Sequence, residues 1–162
     1  MAFDAFLKLD GVEGEGTRKG FEKQIPLESF SWGAHNPTSP VGSGAGAGRV
    51  EISNFTVTKK TDRSSAKLFQ SCCTGKHFPT AMLTVLKASG ANSGLAYLKY
   101  EFKELFVTDI NWSGATGGDD TPTEHAGFAF SSVEVTYTPQ KPDGSPDAAI
   151  VVKYNRKTGE AA

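Results

Sequence analysis

The sequence predicts a mainly β domain: a small closed β-barrel of two packed antiparallel sheets, with one short flanking α-helix and a long extended loop. Several extended segments shift their apolar residues from one face to the other midway, as strands do at the corners of a small closed or strongly coiled barrel. Only one segment has the apolar spacing of a helix. A further stretch, 33–48, holds two prolines and five glycines and offers almost nothing to bury.

Composition bounds the size and class of the protein. The 162 residues form one domain, 1–162, with a core of its own. Hydrophobic residues make up 38% and charged residues 22%, as in an ordinary soluble protein. A formal net charge of −1 removes the broad electrostatic argument for nucleic-acid binding, and no apolar run is long enough to predict membrane insertion.

The first strand is predicted at Phe3–Leu9, followed by a polar turn over 11–20. The segment 21–32 is extended, and its apolar phase shifts near Glu28–Ser29, which indicates a bend. The core-facing positions of the first strand are predicted to be Phe3, Ala5, Leu7 and Leu9.

Three more extended segments are predicted from the spacing of their apolar residues. The segment 49–59 slips its phase at Ser53–Asn54, and another slip occurs at Ser131–Ser132. The run 96–112 exceeds a typical strand, which indicates a long hairpin arm or a bent barrel strand. Residues predicted to share one apolar phase in that run are Leu98, Tyr100, Phe102, Phe106, Ile110 and Trp112.

The helix is predicted after Asp62 or Ser64, either of which can cap it, and Gly75 ends it. Its apolar face is predicted to contain Leu68, Phe69, Cys72 and Cys73. Because the two cysteines are adjacent, they predict two thiols at a helix end rather than a disulfide framework or a zinc site.

The C-terminal third contains a polar, acidic loop over 113–126, a turn over 139–146 and a last strand with Ile150, Val152 and Tyr154. Residues 156–162 are predicted to be a flexible tail.

Residues with catalytic or metal-binding chemistry are isolated. His35, His77 and His125 belong to no metal-binding motif, and Asp119–Asp120 with Glu124 lacks EF-hand spacing. The glycine loop lacks the ending of a phosphate-binding loop, and no nucleophile elbow is present. We therefore expect no enzyme activity, no metal and no cofactor.

Several segments, in order along nearly the whole chain, resemble the Hcp (haemolysin-coregulated protein) family. They are FDAFLKLDGVEGE, ESFSWG, the glycine-rich loop, GKHFPTAMLTVLKASG, YTPQKPDGS and VVKYN. The resemblance implies a small β-barrel that assembles into six-membered rings, which stack into the inner tube of the type VI secretion system.

The implied partners are further copies of the chain, a spike protein at the tube tip, contractile sheath proteins and small effector proteins in the lumen. Neither nucleic acid nor membrane insertion is implied. The N-terminus lacks the basic start and apolar block of a signal peptide. We expect the protein to be cytoplasmic before the sheath contracts and then secreted without cleavage of a leader.

The segment 33–48 is predicted to be an inter-subunit loop. Ordering it costs conformational entropy, and only contacts with a neighbouring subunit can offset that cost. Its candidate contact residues are Gly33, His35, Asn36, Pro37, Pro40, Gly44, Gly46 and Gly48. If Phe30 and Trp32 face the core, alternation sends Ser29 and Ser31 to the opposite face. That face lines the central channel or is an ordinary solvent-exposed surface, and the sequence alone leaves both open.

Two other function classes fit the bare pattern. A monomeric β-barrel ligand-binding module is the main alternative, and a small hydrolase using one histidine is the weaker one. A native mass separates a ring from a monomer, because a ring is several times heavier than 17.2 kDa.

Overall fold

A computed structural model describes residues 3–37, 49–87 and 94–162 of the chain. Most of the inter-subunit loop predicted from the sequence, 38–48, lies outside these described residues. The expectations for Pro40, Gly44, Gly46 and Gly48 therefore stay predictions, whereas Gly33 to Pro37 can be placed.

The described residues form twelve strands and one helix, which confirms a mainly β fold with a single short helix. The bounds are β1 Phe3–Leu9, β2 Ile25–Leu27, β3 Ser29–Ser31, β4 Ala34–His35, β5 Glu51–Ile52, β6 Phe55–Lys60, α1 Ser65–Thr74, β7 His77–Lys87, β8 Ala96–Ser113, β9 Thr123–Ala129, β10 Ser132–Tyr137, β11 Ile150–Asn155 and β12 Glu160–Ala161.

Ten strands join in one antiparallel sheet, and β4 pairs with β5 separately. Strands β7 and β8 are central, with β1 and β2 beyond β7. The long β8 pairs with β10 along its first half and with β9 along its second, which leads to β6 and β3. Only Glu28 separates β2 from β3, and its amide donates to the Thr58 carbonyl at 2.8 Å. The bent β2–β3 run thus pairs with β1 at one end and β6 at the other. Closure of the barrel stays a prediction.

The changes of phase read from the sequence coincide with breaks between strands. Glu28 separates β2 from β3, Ser53–Asn54 separates β5 from β6, and the β9–β10 break falls at 130–131. Each break lets the next strand present its apolar residues to the core although the chain direction has changed.

The phase predicted for β8 is wrong at Phe106, whereas Ile110 packs against the core as Leu98 and Tyr100 do. Glu104 has a left-handed backbone, with φ 52°, and a register shift lies between Val107 and Asp109. The first irregularity brings Leu105 and Val107 into the core, and the half-buried Phe106 turns away from them. Glu104 sits where β8 exchanges β10 for β9 as its partner, so it forms a corner of the sheet.

Aromatic rings fill the core. Phe55 and Phe102 stack with ring centroids 4.5 Å apart, and Phe130 lies 4.7 Å from Phe102. The predicted core position of Phe3 is wrong, because its side chain is 47% exposed. Phe6, which alternation sends to the face opposite Ala5 and Leu7, is buried because Phe21 stacks on it at 5.0 Å.

The helix ends as predicted, with Gly75 in the left-handed conformation at φ 67°. Its buried residues are Ser65, Leu68 and Ser71, so the predicted apolar face is only partly right. Phe69 is half exposed and Cys73 is exposed. At the N-terminus, Asp62 accepts a hydrogen bond from the Ser64 amide at 2.8 Å, while Ser64 makes no side-chain cap.

Two C-terminal predictions are corrected. Glu124 and His125 lie in β9 rather than in a polar loop, because that strand begins at Thr123. The flexible tail predicted for 156–162 is wrong, since Glu160–Ala161 form β12 against β11. Backbone hydrogen bonds join Lys153 and Ala162 in both directions, at 2.8 and 2.9 Å.

Candidate functional site

The apolar inner face of the sheet continues beyond the buried core. One register row crosses the sheet through Leu7, Leu83, Tyr100, Val135 and Val152. Leu7 and Leu83 are almost fully buried, but Val152, on β11, is 53% exposed. Burial therefore falls along a row whose residues keep the same apolar character.

The neighbouring row repeats this gradient. It runs from the buried Val85 through Leu98 to Tyr137 and Ile150. Tyr137 is 44% exposed and Ile150 58%. We name the exposed side chains of Tyr137, Ile150 and Val152 the β11 patch. Large exposed apolar surfaces of this kind mark interaction sites more often than solitary exposed residues do.

The first residues of the predicted inter-subunit loop lie beside this face. The Gly33 amide donates to Ser53 Oγ at 2.8 Å, and the Ser53 amide donates to the Gly33 carbonyl at 2.9 Å. His35 lies in β4 opposite Glu51 of β5, and Asn36 and Pro37 are exposed beyond it. The β4–β5 pair therefore holds the first residues of the loop, and the residues that follow the loop, beside this face.

Between this pair and the sheet lies an apolar cleft of about 180 Å³, lined by side chains that include Trp32, Ile52, Val135 and Val152. Trp32 packs edge-on against Tyr100, with ring centroids 5.2 Å apart. The cleft places the β4–β5 pair and the β11 patch on one surface.

A more polar cleft of about 380 Å³ adjoins it, and Ile52 and Tyr154 line both. Arg49 and Arg156 bring positive charge to this second cleft, together with the single carboxylate of Glu51. Arg156 is held in place because its Nη1 donates to the Phe130 carbonyl at 3.0 Å. The rim of the β11 patch is therefore mainly basic on this side.

Ser29 and Ser31 are exposed, while Phe30 between them packs against Tyr100 with centroids 5.9 Å apart. Their register partners on β6 are Thr58 and Thr56. The face beyond the two serines is thus rich in hydroxyl groups. The sequence pattern missed the threonines because they belong to a strand whose pairing partner was unknown.

A second exposed apolar feature lies on the helix. Phe69 and Trp112 are 50% and 43% exposed, and their ring centroids are 5.7 Å apart. Trp112 Nε1 donates to Glu124 Oε2 at 2.8 Å, which fixes the indole on β8. We name these two side chains the aromatic pair. The sequence assigned Phe69 to the apolar face of the helix and Trp112 to the apolar phase of the run 96–112, but both are largely exposed.

Beneath the aromatic pair is a buried charged cluster. Lys59 and Glu124 are fully buried, with Lys59 Nζ 3.2 Å from Glu124 Oε1 and 3.0 Å from Asp62 Oδ1. The ammonium also donates to Ser65 Oγ at 3.1 Å and to the Lys60 carbonyl at 3.0 Å. With these groups paired, the cluster fixes the start of the helix on β6 and β9 rather than offering a site to a ligand.

The histidines are placed in three different strands. The His77 ring packs against Phe106 with centroids 3.9 Å apart, and His125 Nδ1 lies 3.0 Å from Thr58 Oγ1. Within 3–37, 49–87 and 94–162, no group of three His, Cys, Asp or Glu residues could hold a metal ion. The same ranges contain no helix that is long and apolar enough to cross a membrane.

Comparison with known proteins gives concordant matches in sequence. A protein-family model described as "Type VI secretion system effector, Hcp" matches residues 6–137. The protein hcp1 of Pseudomonas aeruginosa is 39% identical over 155 residues, which cover 95% of this chain and 94% of that protein.

Solved structures agree. One described as a type six secretion system protein is 34% identical, with a TM-score of 0.92, and the match covers 99% of this chain and 100% of that one. The crystal structure of Hcp1 from Salmonella typhimurium is 33% identical, with a TM-score of 0.82, and both chains are covered fully.

Proposed function

Because this chain belongs to the Hcp family of the type VI secretion system, we propose that it is a structural subunit of the secretion tube. In this proposal it assembles into hexameric rings that stack, are exported when the sheath contracts and carry small effectors in the lumen. The protein acts as a building block and not as an enzyme.

The β11 patch is the observation that supports assembly most strongly. Tyr137, Ile150 and Val152 continue rows of the core face, yet each is about half exposed in a single subunit. Burying apolar surface is worth roughly 25 cal/mol per Å², so a surface that covers the patch gains free energy. A ring of identical subunits provides such a surface at every junction.

The β4–β5 pair supports a contact role for the loop 33–48. It holds the described residues on both sides of 38–48 next to the β11 patch, where a neighbouring subunit would lie. We propose that Gly33, His35, Asn36 and Pro37 begin a contact that the rest of the loop continues. Contacts with that neighbour offset the entropy cost of ordering the loop.

Native mass spectrometry tests the proposal. We expect a particle six times 17.2 kDa for the wild-type protein. Deletion of 38–46 should leave a folded subunit that no longer forms rings, because its junctions lose the loop contact. A wild-type protein that stays at 17.2 kDa at micromolar concentration would contradict the proposal and favour the monomeric ligand-binding module.

Ser29 and Ser31 are proposed to line the channel. They are exposed on the face opposite Phe30 and lie beside Thr56 and Thr58, so this wall would be polar and sterically open. Ser31→Gln should form rings with an unchanged melting temperature but retain less of a small effector. Ser31→Ala is the matched control, because it removes the hydroxyl without narrowing the channel. Loss of rings in Ser31→Gln would place this residue in an interface.

Export is proposed to leave β1 intact. Leu7 and Leu9 are buried, so cleavage within this strand would remove part of the core. Intact-mass analysis of the secreted protein should therefore show no loss beyond Met1. A shorter secreted form lacking β1 would contradict export of the folded domain.

A further inference from the structure

The large apolar side chains that are exposed in the described residues fall mainly into two clusters. The β11 patch is one, and the aromatic pair is the other. Phe3 stands apart from both, and Val151 lies on the opposite face of β11 from the β11 patch. The two clusters lie on different elements, since one belongs to β10 and β11 and the other to α1 and β8.

We propose that the aromatic pair of one subunit docks on the β11 patch of the next. This inference rests on the proposed ring, because a cyclic assembly of identical subunits requires two different surfaces that fit each other. If the β11 patch instead packed against the β11 patch of another subunit, the contact would close a two-fold dimer and could not continue around a ring.

The shapes of the two clusters favour this pairing. The β11 patch is mainly aliphatic and adjoins the apolar cleft of about 180 Å³ below Trp32. The aromatic pair presents two large rings from a helix and a strand end. Aromatic anchors in apolar depressions carry most of the binding free energy in many interfaces.

The aromatic pair is also held ready for binding. The Trp112 indole is fixed by its hydrogen bond to Glu124, and Lys59 fixes that carboxylate in turn. Glu124 is thus a positioning residue for the indole. An anchor that is ordered before contact loses little conformational entropy on docking. This gives the buried charged cluster a role in assembly besides attaching the helix.

The charges near the two clusters are complementary. Arg49 and Arg156 lie beside the β11 patch, together with the carboxylate of Glu51. The loop that follows Trp112 carries Asp119 and Asp120, of which Asp119 pairs with Lys60. With Glu51 counted, the first surface keeps one excess positive charge, and Asp120 leaves the second acidic. Opposite signs of this kind steer association and fix its register.

Mixing two variants tests the pairing directly. Phe69→Asp keeps an intact β11 patch, and Ile150→Asp keeps an intact aromatic pair. Each variant alone should have the native mass of one subunit, 17.2 kDa. Mixed in equal amounts, they can form one intact junction but no second one, so we expect a 1:1 heterodimer and no larger ring.

Phe3→Asp is the matched control, because Phe3 is 47% exposed and belongs to neither cluster. It should assemble as the wild type does. Circular dichroism confirms that each variant is folded. As a milder change, Phe69→Ala should raise the subunit concentration at which rings half dissociate by about tenfold or more.

Failure of this inference can be distinguished from failure of the proposed function. Rings of Phe69→Asp, or a mixture that remains monomeric, would overturn the pairing while wild-type rings still support the tube. A wild-type protein that never forms rings would instead contradict the proposed function. If Phe69→Asp does not fold, an unchanged dissociation concentration for Phe69→Ala would overturn the pairing.

Discussion

The two ends of one sheet row differ in burial although their residues are alike. Leu83 on β7 is fully buried, and Val152 on β11, in the same row, is 53% exposed. Leu83 belongs to the core cluster, whereas Val152 lies on β11, beyond β10 and outside that cluster. The comparison shows that an aliphatic residue on the inner face of this sheet serves either the core or an interface, according to how far its strand lies from the centre.

The strongest test of this comparison removes a buried ring, Phe102, from the adjacent register row, where it lies between Ala81 and Val133. Phe102→Ala should lower the free energy of unfolding by about 3–5 kcal/mol, because the cavity left among closely packed rings cannot collapse fully. Phe102 is completely buried between Phe55 and Phe130. Urea unfolding at one fixed subunit concentration measures the effect. A loss below about 1 kcal/mol would mean that the buried rings beside Leu83 and Tyr100 are not the stabilising core.

A second test contrasts two adjacent lysines. Lys59→Met should lower the free energy of unfolding by about 3 kcal/mol, because Glu124 and Asp62 keep buried charges without their cation. Lys60→Met is the matched control, since Lys60 is partly exposed and pairs with surface carboxylates. Its unfolding midpoint should stay close to that of the wild type. Equal losses in both variants would show that the buried cluster does not stabilise the fold.

The exposed end of the row should respond weakly in an isolated subunit. Val152→Ala, made in the monomeric Ile150→Asp background, should change the free energy of unfolding by about 0.5 kcal/mol, as surface substitutions usually do. The same change in the otherwise wild-type chain should promote ring dissociation, detected by native mass. A large loss in the monomeric background would mean that Val152 belongs to the core after all.

The smallest effect is expected at the corner of β8. Glu104 has a positive φ, which glycine adopts without strain and a β-branched residue avoids. Glu104→Gly should raise the melting temperature slightly, although it removes the exposed ion pair with Lys157. Glu104→Val should lower it. A higher melting temperature for Glu104→Val than for Glu104→Gly would contradict the idea that the positive φ of Glu104 forms this corner.

Sequence reasoning succeeded where apolar residues occur in separated pairs. The breaks at Glu28, Ser53 and Ser131 were predicted because the pairs on either side have incompatible phases. It failed in β8, where Leu105, Phe106 and Val107 are all apolar and carry no phase. A glutamate in a left-handed conformation gives no compositional sign of the corner either.

The candidate site was predictable only in part. The loop 33–48 was conspicuous by its glycines, and the exposure of Ser29 and Ser31 followed from alternation. The β11 patch could not be predicted, because apolar residues alternate along β11 in the same way as along a buried strand. Nor could the burial of Lys59, since a lysine in a short basic run normally points to solvent and its partner Glu124 is 65 residues away.

The short strand β12 has a consequence for how the protein is made. Among the described residues it pairs only with Tyr154 and Asn155, which leaves Ile150 to Val152 on an edge of the described sheet that is rich in β-branched side chains. Such an edge is a template for irregular strand addition by other newly synthesised chains. Rapid docking of a correct neighbour would compete with that aggregation during overproduction. Asp147 and Lys153 flank this apolar segment, as charges that limit fibril growth commonly do.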